Sequence, residues 1–365
     1  MSGWYLLAAI PVFGILVLVH EFGHFITAKW AGIRVEEFAI GFPPRLFGVK
    51  RGETLYSINL LPIGGFVRMP GENGETTDEA GNYDPRSFAA KPAGKRAIVL
   101  VAGVTMNLIL AVVLFTAAEA IGQVQFRSAI GSVQKDSPAA QAGLMAGDQI
   151  ISINGQSTKY WQDVTGELLT LDGQVPADAK TFPVTLVVRH PDSSTPVTIT
   201  VDARAHPAPD QGYLGIGRDA SNPYVLRVPI WQAPAAGIGD IRDVTVATAG
   251  GIGQIIQGKL PWNKAVQGPV GIVQDTGTVA SFVPEIGPYW LLYLTAALSL
   301  NLAFVNILPI PALDGGRLLF IGIEVLRRGK RVSAEREALV NLAGMGLLLL
   351  LMLIVTINDV GNIVH

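Results

Sequence analysis

The chain has 365 residues, of which 49% are hydrophobic and only 15% are charged, against roughly 25% charged in an ordinary soluble domain. That balance excludes a disordered chain and a wholly soluble one, and a net charge of −2 gives no reason to expect a nucleic-acid partner. There are no cysteines, which excludes disulfides, thiolate catalysis, iron–sulfur clusters and cysteine-held zinc.

A metal site therefore has to come from carboxylates and from five histidines: His20, His24, His190, His206 and His365. The first apolar segment runs from Trp4 to about Ile26 and is long enough to cross a bilayer. It lacks the basic leading region of a signal peptide and carries a histidine motif, so it is expected to stay as a helix. That motif is His20-Glu21-Phe22-Gly23-His24. On a helix, residues four apart share a face, so both imidazoles can grip one ion. Glu21 stands beside the first of them, placed to act as general base towards an attacking water. Three polar groups at the edge of a spanning helix are costly without a purpose.

A second span is expected from Ala97 to Ile121. After it the composition changes. Residues 128 to 205 alternate polar and apolar over short runs, and Asn154-Gly155 is a hairpin signal. This predicts a compact, strand-rich domain with one or two short helices. Residues 232 to 258 place Ile238, Ile241, Val244, Ile252, Ile255 and Ile256 at roughly helical spacing. They read as an amphipathic helix, lying on the membrane surface or packed on the domain. The Gly-Gly-Ile-Gly at 250–253 is no dinucleotide loop, because Ile256 takes the third glycine position and no strand precedes it.

The third span runs from Tyr289 to Leu313 and ends in Asn306-Ile-Leu-Pro-Ile-Pro-Ala-Leu-Asp314-Gly-Gly. Pro309 and Pro311 break the helix, and such backbone is tolerated at membrane depth only inside protein or beside a wet cavity. A catalytic zinc needs a third protein ligand and an open position. Asp314 has the chemistry, depth and side for that ligand, ahead of Glu119 and Glu324; the plain alternative is a helix cap. The fourth span covers Ala338 to Ile357. Ten Lys/Arg lie between the first two spans and six between the last two, with none before Trp4 or after Ile357. Both short loops should then be cytoplasmic, with the termini and the 122–288 insert outside.

HEFGH in a first span with NILPIPALDGG in a later one resembles the site-2 protease family of intramembrane zinc metalloproteases, and most closely the bacterial regulator-of-sigma-E type. LLPIGGFVRMPGE at 60–72 resembles that family's membrane-associated β-loop. SPAAQAGLMAGDQIISINGQ at 137–156 resembles a PDZ core, and GPVGI at 268–272 the segment before the third span. The resemblance implies an α-helical polytopic membrane protein with four transmembrane helices, an inserted β-rich PDZ domain and a β-loop. The expected boundaries are 1–121 for the first two spans, with the β-loop at about 51–70. They continue as 122–231 for the PDZ domain, 232–288 for the amphipathic helix and linker, and 289–365 for the last two spans.

The family motifs map His20, His24 and Asp314 to one Zn2+, Glu21 to the catalytic glutamate, and Asn306 to a substrate or oxyanion contact. Gly64 and Gly65 fall where the β-loop is thought to hold an unwound substrate strand. Implied partners are the lipid bilayer and single-span membrane substrates, such as anti-sigma factors or remnant signal peptides, first shortened by a site-1-type protease. The implied setting is a bacterial inner membrane with the active site towards the cytoplasm. Pro43 replaces a family glycine, and Arg317 stands where some relatives have histidine; neither touches the expected ligands. The rival readings are a PDZ-bearing membrane scaffold, which would be indifferent to Glu21→Gln, and a cation transporter, which would be expected to show internal repeats.

Overall fold

The structure, a computed structural model, describes residues 3–72, 84–176, 178–193, 195–208, 211–221 and 223–364. His365 lies outside them. The chain divides into two compact units: one from the residues up to Ile121 with those from Val228 on, the other from Gly122–Arg227.

The first unit opens with a 3₁₀ turn, Gly3–Ala8, that runs into helix α1, Ala9–Trp30. Pro11 sits in the first turn, where a missing N–H costs nothing. Strands β1 (Glu37–Arg51) and β2 (Thr54–Arg68) follow, so the sheet begins well before residue 51. Residues 37–40 pair twice, with 65–68 in antiparallel register and with 55–58 in a register where both numbers rise. Residues 47–51 then pair back onto 54–58. Segment 65–68 is therefore bonded along one side by Glu37–Ile40. Phe42, Leu46, Phe47, Val49, Ile58, Leu60 and Leu61 stand exposed on this sheet, an apolar surface of the kind that meets lipid or a partner.

Helix α2 covers Ala93–Ile121. The second unit then runs through β3 (Gln123–Gln125), β4 (Ile130–Val133), α3 (Pro138–Gln141), β5 (Gln149–Ile153), β6 (Gln156–Ser157), α4 (Trp161–Asp172), β7 (Thr181–Arg189), β8 (Val197–Arg204), β9 (Ile216–Arg218) and β10 (Tyr224–Leu226). Its main sheet has the order β6-β5-β7-β8, with β4 paired to β9 and β3 to β10. In β7 every second residue is buried: Phe182, Val184, Leu186 and Val188, the period-2 pattern of a half-buried strand. Asn154 and Gly155 take φ of 47° and 85°, the left-handed pair a two-residue hairpin requires, and Ile153 faces Gln156 across it.

The first unit resumes with α5 (Ala233–Ile256), α6 (Trp262–Ala265), α7 (Pro269–Ile286), α8 (Tyr289–Ile307), α9 (Asp314–Leu326) and α10 (Ala334–Val364). Helix α5 packs on α2: a side chain at Gly237 would meet the Thr116 backbone at 2.8 Å. Helix α7, in the stretch read as linker, is held by α10, where Asp359 accepts from the N–H groups of Gly268 and Gly271 at 3.1 and 2.8 Å. Among the described residues, four helices are long and apolar enough to cross a membrane: Gly3–Trp30, Ala93–Ile121, Tyr289–Ile307 and Glu335–Gly361. The third stops six residues short of the expected Leu313, because Pro309 and Pro311 cannot continue it.

Candidate metal centre

Three elements bring the site together. On α1, His20 and His24 point the same way, and both are buried. Helix α2 crosses over them, and Gly103 is the crossing point. A Cβ there would stand 2.4 Å from His24 Nε2 and 2.8 Å from His20 Cε1, so the close approach needs glycine. His24 Nδ1 donates to the Val99 carbonyl at 2.8 Å, which leaves the lone pair on Nε2.

The third element is the break after α8. Ala312 takes φ of 77°, a strained value for a residue with a Cβ. Its N–H donates to Asn341 Oδ1 on α10 at 3.3 Å. Asp314 then starts α9. Side chains at Gly315 and Gly316 would strike the carbonyls of Leu308 and Ile310 at 2.1 and 2.3 Å. The Asp-Gly-Gly sequence thus lets α9 begin against the end of α8 and turns Asp314 towards the histidines.

The result is a near-equilateral triangle. His20 Nε2 lies 3.2 Å from Asp314 Oδ2, His24 Nε2 lies 3.3 Å from it, and the two Nε2 atoms are 3.2 Å apart. Tetrahedral zinc with bonds of about 2.0–2.1 Å spaces its ligand atoms by roughly 3.3 Å. Asp314 Oδ2 is buried and accepts no hydrogen bond, an expensive state unless a cation satisfies it. Among the described residues these three form the one group of histidines and acids close enough to share a metal ion. Nitrogen and oxygen donors in this number suit zinc with an open position.

Glu21 follows His20 and is partly buried. Its Cγ lies 3.3 Å from where a Gly65 side chain would begin, so β2 passes directly over it. Gly64 takes φ of 94° and lies under the Phe42 ring, both of which favour glycine. Asn306 sits in the last turn of α8, half-buried. The other candidate acids are engaged elsewhere. Glu324 is paired with Arg96 at 2.6 Å, and Glu119 accepts from the Tyr289 hydroxyl at 2.8 Å. His190 and His206 each rest on a carboxylate of the 122–227 unit, Asp148 at 2.6 Å and Asp172 at 3.2 Å.

Sequence reasoning passed over three contributors here: Gly103, the Val99 carbonyl and Asn107. The last is fully buried on α2, with its amide 3.1 Å from His20 Nδ1. A polar residue in the middle of an apolar span was the signal for it.

Comparison with known proteins agrees with this chemistry. Residues 8–351 match the model of peptidase family M50. Zinc metalloprotease RasP of Geobacillus kaustophilus is 32% identical, over 97% of this chain and 97% of that protein. Regulator of sigma-W protease RasP of Bacillus subtilis is 33% identical, over 97% of each chain. The chain belongs to peptidase family M50 and is a zinc metalloprotease of the membrane.

Proposed function

We propose that this protease hydrolyses peptide bonds within or at the edge of the transmembrane segments of single-span proteins. The observation that carries the reading is the triangle of His20, His24 and Asp314 built on helix α1, a spanning segment, with Glu21 beside it. His20, His24 and Asp314 hold the zinc. When bound, zinc supplies a Lewis acid that lowers the pKa of water to about 7 and polarises a carbonyl. Glu21 takes the proton of the attacking water and passes it to the leaving amine. Asn306 offers its amide to the developing oxyanion.

A helical substrate must expose its backbone before it can be cut. Segment 64–68, running over Glu21, is suited to hold the freed strand by main-chain hydrogen bonds, and its two glycines allow the close approach. We assign the 122–227 unit as a PDZ-type domain that screens substrates by size or holds a newly exposed C-terminus. With the basic short loops cytoplasmic, the termini and this unit lie outside a bacterial inner membrane and the zinc towards the cytoplasm. Substrates of this type are anti-sigma factors and remnant signal peptides, supplied by an earlier cut outside the membrane. The sigma-W regulator among the relatives supports the first class.

The test is cleavage of a tagged single-span protein in proteoliposomes, with zinc measured on every variant. Wild type should hold about one zinc and cleave. Glu21→Gln should keep the metal and lose on the order of 1000-fold in rate, while Asp314→Asn loses both. If Glu21→Gln cleaves as fast as wild type, the assignment fails and a peptide-binding scaffold takes its place.

A further inference from the structure

Asn107 is a polar side chain with no exposed surface, in the middle of the second span. Its amide Nδ2 lies 3.1 Å from His20 Nδ1, while its Oδ1 is buried without a partner. The Asn107 main chain is fixed independently: its carbonyl accepts from Ser299 Oγ on α8 at 2.8 Å. The amide is thus presented to His20 by a helix pair that does not depend on the amide for its own contact.

From this juxtaposition we propose that Asn107 is a positioning residue, whose carboxamide oxygen fixes the His20 ring with Nδ1 protonated and Nε2 turned to the zinc. The inference rests on the reading of His20 as a zinc ligand. A neutral imidazole has one N–H and one lone pair. Only His20 Nε2 faces Asp314 and His24, so a metal shared by the three takes that lone pair and Nδ1 carries the proton. Nδ1 then needs an acceptor. The two ends of an amide exchange by a half-turn, which puts Oδ1 against Nδ1 and transfers the unpaired position to the nitrogen. The number of unpaired atoms stays the same, and His20 gains the acceptor that metal-bound histidines use to set tautomer and ring orientation. His24 has the same device in another form, with the Val99 carbonyl on its Nδ1. Both imidazoles would thus be oriented by the one helix, α2.

Zinc affinity decides the matter, measured on full-length protein in detergent by competition with a chelator. Asn107→Leu keeps the side-chain shape and removes the acceptor; Asn107→Asp keeps both. Wild type should bind tightly, the Leu variant about 10- to 100-fold more weakly, and the Asp variant within about 3-fold of wild type. The melting temperature of the metal-free protein reads packing separately and should match wild type in Asn107→Leu. Zinc held equally by wild type and Asn107→Leu overturns the proposal and leaves the His20 assignment standing. So does an equal loss of zinc in both variants, since Asn107→Asp retains the acceptor that the proposal requires. Absence of zinc from wild type overturns both readings together.

Discussion

The two units bury different kinds of residue. In the 122–227 unit the centre is one apolar cluster, with Ile130, Ile150, Ile153, Val164, Leu186 and Leu214 sealed from solvent. In the helical unit, α1 buries Ala9, His20, Gly23, His24 and Ala28 along with Val12 and Leu16. Helix α8 buries Thr295, Ala296, Ser299 and Ala303 with Tyr289 and Leu300. Most leucines of α10 point outward, among them Leu342 at 70% exposure, Leu347 at 64% and Leu353 at 55%. Water drives apolar side chains inward. Lipid gives no such drive, so spans associate through small residues that fit closely and polar groups that bond each other. The interior this leaves is polar enough for a metal site, and a site of that kind is absent from the described part of the apolar cluster.

The sharpest way to break this contrast is to fill the closest helix crossing. Gly103→Val would drive methyl groups into the space of His24 Nε2. Zinc affinity and proteolysis should both fall on the order of 100-fold or more, while limited proteolysis of the intact protein finds the 122–227 unit as resistant as before. Retention of both zinc and activity would show that the crossing has slack.

A buried ion pair in the helical unit tests the same point by charge. Arg96 on α2 and Glu324 on α9 are both buried, and one guanidinium nitrogen reaches both carboxylate oxygens at 2.7 and 2.6 Å. Removing Arg96 leaves Glu324 with Arg331 at 3.3 Å, so Arg96→Met should cost about 2–3 kcal/mol, below the full penalty of an unpaired buried charge. Adding Glu324→Leu should recover most of that loss in thermal unfolding. If the double variant is as unstable as the single one, the pair is not what joins α2 to α9. In the water-driven core the counterpart is Ile150→Ala, expected to cost about 2–5 kcal/mol through the cavity left behind. Leu350→Ala, on the lipid side at 54% exposure, should cost under about 1 kcal/mol in detergent.

The contrast also explains what could be read from the sequence. The spans and the His-Glu-x-x-His motif follow from runs and spacings a few residues long. Asp314 was reachable because few acids remained at the right depth. The hairpin at Asn154-Gly155 follows from local turn chemistry. The hidden parts depend on long-range contact. The double pairing of 37–40 joins segments nearly 30 residues apart and begins before any alternation shows. Helix α7 reads as linker because its start is satisfied by Asp359, about 90 residues later. The group in contact with Nδ1 of each histidine belongs to α2, and nothing near His20 or His24 in the chain announces it.

A comparably small effect concerns the face where α5 meets α2. Asp240 Oδ2 is buried there without a hydrogen bond. Burial first, then the nearby carboxylates of Glu119 and Asp243, push the Asp240 carboxyl up to about 6. A raised carboxyl pKa means the folded protein holds the proton more tightly than the unfolded chain. The stability this gives is full below the ordinary value near 4, and is lost as pH rises through about 6. Docking of α5 should therefore be firmer at pH 5 than at pH 7. The difference is on the order of 1 kcal/mol once solvent near the half-buried carboxyl is allowed for. Asp240→Asn removes the charge at every pH, so its unfolding temperature should stay level across that window while wild type declines. An identical decline in the Asn variant would assign the pH dependence to another group, and α5 would then owe its position to the close fit at Gly237 and the packing of Ile241 and Val244.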